Sequence, residues 1–501
     1  MKLSINGLHD ERFQRPLQLI ANLFFEDCKV QLEQENSDIN IHFSVTKSAG
    51  KVHVAGELLH GDNHYKEEHE RTIQESLTEK EQFKQVKFAV SYVYLSLLQQ
   101  ETGVIQPWGI LTGVRPTKLL HKFLKQGLTK DEAHQILRDQ YMITEEKIAL
   151  MQTIVDRQLQ VIPDLYTIQN EVSIYIGIPF CPTKCAYCTF PAFAIQGKLG
   201  KVDTFLEGLH YEIKEMGAWL KEKGIRITSI YYGGGTPTSI SAEQMDLLYA
   251  EMYRSFPDVK DIREITVEAG RPDTIFPDKL EVLKKHNIDR ISVNPQSYTQ
   301  ETLKAIGRHH TVEETIEKFW LSRNMGMKNI NMDLIIGLPG EGVPEFQHTI
   351  DETEKLMPES LTVHTLSFKR ASEMTQNKEK YPVASRPEIE EMMSMAEKWT
   401  KENGYTPYYL YRMKNILGNL ENVGYAQEGQ DSIYNIVIME EVQTIIGLGC
   451  GASSKFVHPT TGVITQLANP KDPKSYNDTY KEYSKKKIDI LEELFRDSVT
   501  V

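Results

Sequence analysis

The pattern of hydrophobic and polar residues along the chain changes near residue 171. Beyond that point, short runs rich in Ile and Val alternate with stretches of helical period. Six β-strands are predicted, each followed by a predicted helix: Val172–Ile178, Ile227–Tyr232, Glu264–Glu268, Asp289–Val293, Asn329–Ile336 and Leu361–Phe368. Since each helix returns the chain to the start of the next parallel strand, the repeats predict a parallel sheet. Six units are too few for an eight-stranded barrel, so we expect an α/β fold with an incomplete (β/α)6 parallel barrel.

The segments on either side of these repeats have a different pattern. Residues 1–165 combine strand-like alternation at Ile39–Val45 and Val52–Glu57 with helical periods, which predicts an α+β N-terminal domain whose role the sequence does not indicate. Residues 166–404 form the predicted core. Residues 405–501 predict a small mixed C-terminal domain with a strand pair at Ile436–Met439 and Thr444–Ile446. Three histidines lie in a charged stretch that fits a solvated linker better than a metal site: His60, His64 and His69.

Composition narrows the class of protein. The 501 residues carry a formal charge of −13, which argues against nucleic acid as a partner because phosphate binding draws on clustered Lys and Arg. We found no run of about 18 apolar residues and no apolar stretch after Met1, so we expect neither membrane insertion nor a signal peptide. The expected location is the cytoplasm.

Polar, charged or glycine-rich residues follow every predicted strand of the core. They include the segments Gly233–Thr238, Asn294–Ser297 and Gly337–Gly340, together with Glu268. The carboxyl ends of parallel strands meet at one edge of a sheet, where α/β proteins place their functional groups. The sequence therefore predicts that the functional residues lie together at the carboxyl-terminal edge of the sheet.

Three of the five cysteines form a C-x3-C-x2-C cluster at Cys181, Cys185 and Cys188. Tight loops of this kind supply thiolates to iron–sulfur clusters. Three ligands on a four-iron cluster leave one iron open, and that iron can chelate the amine and carboxylate of a molecule such as S-adenosylmethionine. A structural zinc needs four ligands, and the sequence offers no fourth Cys or His near the loop. We therefore favour the cluster over zinc and interpret Cys28 and Cys450 as bystanders.

The segment from Tyr175 through Cys181 to Phe190, with Gly233–Thr238 after it, resembles the radical S-adenosylmethionine enzymes. Within them the chain is similar to the oxygen-independent coproporphyrinogen III oxidases, or coproporphyrinogen dehydrogenases. The resemblance runs from about Ser173 to Ser454. The first 165 residues lie outside it and are similar to the added N-terminal domain of a variant in some Gram-positive bacteria.

This resemblance implies a role for each matching residue. Cys181, Cys185 and Cys188 would hold a [4Fe-4S] cluster. The contacts of the S-adenosylmethionine at the open iron would be Tyr175, Gly234, Glu268, Arg308 and Asp333. A second S-adenosylmethionine would be contacted by Tyr187, Gly235, Thr236 and Gln296.

The resemblance also implies a reaction and its partners. In the family, a 5′-deoxyadenosyl radical takes a hydrogen atom from a propionate of coproporphyrinogen III. Loss of carbon dioxide and an electron then leaves a vinyl group, and two rounds give protoporphyrinogen IX in haem biosynthesis. The implied partners are this substrate and an electron donor such as flavodoxin or ferredoxin, with the protein a monomer. Candidate cations for the four substrate carboxylates are Arg271, Lys369, Arg370 and Arg412.

Three positions depart from the related patterns. Gly177 stands where the common pattern has His, which puts a standard cofactor environment in doubt. A haem-binding chaperone branch shares the core, but its signature His is Glu421 here, and a further family His is Ser453. Since a carboxylate is a poor replacement for an axial imidazole, we favour the oxidase over the haem carrier. A radical enzyme acting on another substrate stays open.

Overall fold

The computed structural model describes residues 1–25, 28–34, 37–74, 76–195, 202–368, 372–413 and 420–496. The chain divides into two units, Met1–Gln152 and Thr153–Val501. The predicted domain limits at residues 165 and 405 stay predictions.

The first unit is built on a five-stranded sheet in the order β2-β1-β3-β4-β5. Its strands are β1 (Lys2–Asn6), β2 (Lys29–Leu32), β3 (Ile39–Ser48), β4 (Lys51–His60) and β5 (Asn63–Thr72), and its helices are α1 (Gln14–Ala21), α2 (Glu79–Thr102), α3 (Pro116–Lys125), α4 (Lys130–Asp139) and α5 (Glu145–Val161), the last of which continues into the second unit. Apolar side chains of β1, β3 and β4 pack with those of α1 and α2 in one core.

The predicted linker around His64 is wrong. This segment forms the antiparallel pair β4–β5, in which Leu59 lies opposite His64. Side chains of β5 alternate between exposed and half-buried positions. An edge strand with one solvated face has the polar composition of a linker, which is why composition alone misled.

The second unit contains an eleven-stranded sheet in the order β14-β15-β13-β12-β11-β10-β9-β6-β16-β17-β18. Its parallel core strands are β6 (Val172–Ile178), β9 (Ile227–Gly234), β10 (Glu264–Glu268), β11 (Arg290–Ser292), β12 (Ile330–Ile336) and β13 (Ser360–Thr365). The remaining strands are β7 (Phe180–Cys181), β8 (Phe193–Ala194), β14 (Thr406–Tyr411), β15 (Asn422–Ala426), β16 (Thr444–Gly449), β17 (Ser453–Val457) and β18 (Ile464–Ala468). All six predicted core strands are present, and the order of the sheet leaves two ends, so the incomplete barrel is confirmed.

Helices of the second unit follow the core strands. They are α6 (Val202–Lys223), α7 (Ala242–Ser255), α8 (Pro277–Lys285), α9 (Gln300–Ala305), α10 (Val312–Asn324), α11 (Val343–Leu356), α12 (Glu373–Gln376), α13 (Arg386–Glu402), α14 (Ile433–Glu440) and α15 (Pro473–Leu494). Helix α7 begins where Ser241 and Gln244 form a reciprocal capping box. The sheet continues beyond the core on both sides, because β15 pairs antiparallel with β13 and β16 pairs parallel with β6.

The predicted strand at Ile436–Met439 is wrong, because these residues lie in helix α14. Ser432 caps the helix through Asn435 N, and the buried carboxylate of Glu264 accepts hydrogen bonds from the backbone N–H groups of Ile433 and Tyr434 at 2.9 and 3.3 Å. A carboxylate at a helix N-terminus accepts hydrogen bonds from the free backbone N–H groups and interacts favourably with the positive end of the helix dipole. This tertiary cap overrides the strand propensity of an Ile- and Val-rich segment.

Candidate functional site

The three clustered cysteines lie in a loop at the carboxyl end of β6. Cys185 is buried, whereas Cys181 and Cys188 are half-buried. Cys181 Sγ lies 3.3 Å from Thr236 Oγ1, and Cys188 N donates to Cys185 O at 3.1 Å. Burial raises the pKa of the Cys181 thiol to about 11, although the hydrogen bond to Thr236 acts in the opposite direction. The loop therefore brings three thiols into one small region.

Two buried guanidinium groups flank Cys185. Arg308 interacts with both Cys185 and Tyr187, and these neighbours raise its pKa even though burial alone would lower it. Arg271 Nη1 lies 3.9 Å from Cys185 Sγ. In the described part of the chain, no group of three or more His, Cys, Asp or Glu side chains is spaced to hold a single metal ion. Three thiols beside two cations match the donor set of an iron–sulfur cluster, which binds thiolates and whose sulfurs accept hydrogen bonds.

The glycine segment after β9 presses its backbone against the start of the cysteine loop. Gly235 N donates to Ile178 O at 2.8 Å, and Thr236 N donates to Phe180 O at 2.7 Å. A Cβ at Gly235 would lie 2.5 Å from Phe180 O, and Gly234 has a φ of +107°. No side chain fits at either position without moving the backbone, so glycine is required for this close approach.

A cavity of about 560 Å³ opens beside the loop. Of the nine predicted cofactor contacts, seven line it: Tyr175, Tyr187, Gly234, Gly235, Glu268, Gln296 and Asp333. The other two act from behind the wall, Thr236 against Cys181 and Arg308 against Cys185 and Tyr187. Among the cysteines Cys188 and Cys450 reach the wall. The structure thus gathers the predicted residues from five different core strands and the segments that follow them.

Two carboxylates stand on the cavity wall in different environments. Glu268 accepts a hydrogen bond from Tyr231 OH at 2.6 Å. Burial raises the pKa of Glu268 to about 7, and the nearby charge of Asp333 adds to this, while the Tyr231 bond opposes it. Burial also acts to raise the pKa of Asp333, but hydrogen bonds and the charge of His364 outweigh it and leave this pKa below its ordinary value.

Four buried polar atoms on this wall have no hydrogen-bond partner among the described residues: Thr266 Oγ1, Ser292 Oγ, Gln296 Oε1 and Tyr434 OH. Gln296 also adopts a φ of +66°, which is strained for a residue with a side chain. Buried polar groups in native proteins are nearly always paired. Their clustering on one cavity fits a polar ligand that completes these bonds, as S-adenosylmethionine does with its amine, carboxylate, ribose and adenine.

Several residues of the cavity were missed by the sequence reasoning. His364 Nε2 lies 3.5 Å from Asp333 Oδ2, and His364 Nδ1 lies 3.2 Å from Tyr411 OH. Tyr434 of α14 stacks on Tyr231 with ring centroids 4.5 Å apart. Lys455 of β17 lines the same cavity. The sequence did contain a signal for His364 and Lys455, because each is a basic residue within a β-strand. This signal is weak, since the strand order that brings the two strands to the cavity is not known from the sequence.

Neither of the two predicted substrate cations that the structure describes lines the cavity. Arg271 and Arg412 are absent from the described lining of the cavity. Arg412 is buried, which lowers its pKa to about 10, while the charge of Glu421 raises it. Lys369 and Arg370 lie outside the described residues.

Comparison with known proteins identifies the family. Residues 175–353 match the model of the radical SAM superfamily. The chain is 66% identical over 496 residues to the oxygen-independent coproporphyrinogen-III oxidase-like protein HemZ of Bacillus subtilis (strain 168), covering 99% of each chain. The protein belongs to this radical SAM family. The family resemblance read from the motifs is confirmed, and the protein is a radical SAM enzyme that uses a [4Fe-4S] cluster and S-adenosylmethionine.

More distant relatives of this radical SAM enzyme share its core. The heme chaperone HemW of Bacillus subtilis (strain 168) is 29% identical over 330 residues, which cover 64% of this chain and 82% of that protein. The crystallised coproporphyrinogen III oxidase (HemN) from Escherichia coli matches with a TM-score of 0.51 at 22% identity over 65% of this chain and 72% of its own. This last match shows the shared fold alone. No described helix is both long and apolar enough to cross a membrane.

Proposed function

We propose that this radical SAM enzyme catalyses the oxygen-independent oxidative decarboxylation of coproporphyrinogen III to protoporphyrinogen IX. Cys181, Cys185 and Cys188 hold the [4Fe-4S] cluster in this proposal. The first S-adenosylmethionine is contacted by Tyr175, Gly234, Glu268, Arg308 and Asp333, and a second by Tyr187, Gly235, Thr236 and Gln296. When bound, the cluster and S-adenosylmethionine together supply the radical that removes a hydrogen atom from a propionate.

The observation that supports the choice of substrate is the presence of two basic side chains, Lys455 and His364, on the cavity wall. Lys455 Nζ lies 3.1 Å from Glu441 Oε1, and the two side chains are only 15% and 10% exposed. His364 is also on the wall and is held by Asp333 and Tyr411. Cationic and hydrogen-bonding groups of this kind bind carboxylates. We assign to Lys455 and His364 a part in the recognition of substrate carboxylates that the sequence analysis expected of Arg271, Lys369, Arg370 and Arg412.

The protein's other contribution is to shape the reaction space. The rings of Tyr175, Tyr231 and Tyr434 stack on one another and form an aromatic part of the cavity wall. Such a wall excludes water and orients a flat tetrapyrrole. The enzyme also requires a one-electron donor, for which we propose a small redox protein of the flavodoxin or ferredoxin type, and we propose that it acts as a monomer.

Anaerobic turnover tests this function. We expect the reconstituted protein to convert coproporphyrinogen III to protoporphyrinogen IX with release of methionine and 5′-deoxyadenosine, and Cys185→Ala to abolish both. Lys455→Gln should raise KM by about tenfold, which corresponds to the loss of one charge-assisted hydrogen bond, and Lys455→Arg should restore part of it. Cleavage of S-adenosylmethionine without porphyrinogen turnover, together with stoichiometric haem binding, would favour the haem chaperone function instead.

A further inference from the structure

Arg271 is a buried cation of the second unit, and hydrogen bonds from its guanidinium nitrogens hold it in one position. It lies in the segment just after β10, which ends at Glu268, and is only 3% exposed. Its Nε and Nη2 donate to the two carboxylate oxygens of Asp273 at 3.0 and 2.8 Å in a bidentate pair. This arrangement fixes the plane of the guanidinium group and leaves Nη1 to point away from Asp273.

The remaining nitrogen of this group faces the cysteine loop. Arg271 Nη1 donates to Thr183 Oγ1 at 3.0 Å and to Thr183 O at 3.2 Å, and it lies 3.9 Å from Cys185 Sγ. Thr183 in turn donates from Oγ1 to Gly307 O at 3.0 Å. The guanidinium group is therefore tied to the segment between Cys181 and Cys185, at its most buried sulfur.

We infer that Arg271, aimed by Asp273, is a positioning residue that sets the reduction potential of the cluster through Cys185. Reduction adds a negative charge to a cluster, and a positive charge with an N–H donor at a ligand sulfur stabilises that charge. Arg271 therefore makes the cluster easier to reduce. Asp273 opposes part of this effect, because its carboxylate lies beside the same guanidinium group.

This charge pair makes a prediction that a purely mechanical link does not. If Arg271 only ties the loop in place, loss of either member loosens the loop and both variants disturb the cluster in the same way. If its charge acts on the cluster, removal of the cation and removal of the anion shift the potential in opposite directions. Arg308 also contacts Cys185, but it is unchanged in both variants and cannot produce shifts of opposite sign.

The experiment uses the reconstituted full-length protein with four single substitutions. Arg271→Gln removes the cation, Asp273→Asn removes the anion at nearly constant size, and Arg271→Lys keeps the charge without the bidentate fork. Arg254→Gln on α7, whose side chain is 71% exposed, is the remote control for loss of one positive charge. For each protein, iron and sulfide content is measured first. The midpoint potential is then measured by a redox titration that follows the electron paramagnetic resonance of the reduced cluster.

We expect Arg271→Gln to shift the midpoint potential to more negative values and Asp273→Asn to shift it to more positive values. The midpoint potential of Arg271→Lys should lie closer to that of the unsubstituted protein than the potential of Arg271→Gln does. The midpoint potential of Arg254→Gln should equal that of the unsubstituted protein. Shifts of the same sign in the first two variants, or shifts no larger than that of the control, overturn the inference. If Arg271→Gln retains no iron, the sign of the Asp273→Asn shift decides alone. Since no measurement uses coproporphyrinogen, the outcome is independent of the proposed substrate.

Discussion

Glu268 allows a test of how much the burial of a negative charge on the cavity wall destabilises the protein when no S-adenosylmethionine is bound. Its side chain is half-buried on the wall, and its pKa is raised from 4.5 to about 7, chiefly by burial. Between those two pH values the folded protein keeps a proton that the unfolded chain releases. Stability therefore falls as the pH rises through this window, and the full cost of burying the charge is present only above about pH 7.

The structure also gives the size of this cost. A difference between 4.5 and about 7 corresponds to about 3 kcal/mol, at about 1.4 kcal/mol for each pH unit. Glu268→Gln has nearly the same volume, and its amide oxygen can still accept the hydrogen bond from Tyr231. We expect the variant and the parent protein to be similarly stable at pH 5, and the variant to be more stable by about 3 kcal/mol at pH 8.

Urea denaturation followed by far-ultraviolet circular dichroism, in the absence of added S-adenosylmethionine, measures this difference. Both proteins carry the same cluster, so its contribution cancels in the comparison. Glu243→Gln, which removes an exposed carboxylate from α7, serves as the matched control and should change little between the two pH values. A stability gap for Glu268→Gln that is equal at pH 5 and pH 8, or larger at pH 5, would refute burial as the cause of the raised pKa.

Two further substitutions test the packing behind the cavity. Lys487→Met leaves the buried carboxylate of Glu212 without its cation, so we expect a loss of about 3 to 5 kcal/mol, seen as a fall in Tm of roughly 4 to 7 °C; an unchanged Tm would contradict this. Gly177→Ala places a Cβ 2.9 Å from Cys450 O, and urea unfolding should show a loss of about 1 to 3 kcal/mol. Gly113→Ala, whose nearest contact would be an ordinary 3.7 Å, is its control, and equal losses in the two variants would contradict the close approach.

The core strands could be predicted from the sequence because each is buried on both faces and therefore appears as a short apolar run. The carboxyl ends of these runs then marked the correct edge of the sheet. Tyr175, Glu268 and Asp333 lie on three different core strands, and they line one cavity in the structure. A parallel sheet makes this inference reliable, since strand direction alone decides which residues share an edge.

The failures have a common physical cause, which is that a distant residue decides the local outcome. Helix α14 is capped by Glu264, which precedes Ser432 by 168 positions. The local sequence around Ser432 therefore gives no indication of the helix. Arg271 was expected to face the substrate because it follows a strand, but its bidentate bond with Asp273 turns it toward the cysteines. Lys455 reaches the cavity only because β16 and β17 extend the sheet beyond β6.

Gly177 illustrates how a departure from a family pattern is explained by packing. A His at this position cannot coexist with the present backbone, because a Cβ would contact Cys450 O at 2.9 Å and a Cβ at Gly449 would lie 2.3 Å from Gly177 O. The two glycines are register partners in the β6–β16 pair. Cys450 and Gly451, which follow Gly449, lie on the cavity wall.

The distribution of charge in the cavity has a consequence for how two reactants of opposite charge share it. Glu268 and Asp333 lie on the core strands β10 and β12 and line the cavity, and under the proposed function their carboxyl groups favour a cationic sulfonium cofactor. Lys455 lies on β17, which is separated from β6 by β16 alone, and under the proposed function it attracts the carboxylates of the porphyrinogen. In a protein with a net charge of −13, a tetracarboxylate is repelled by most of the surface. Under the proposed function, Lys455 therefore contributes to the orientation of the substrate as well as to its affinity, because one local cation attracts the carboxylates.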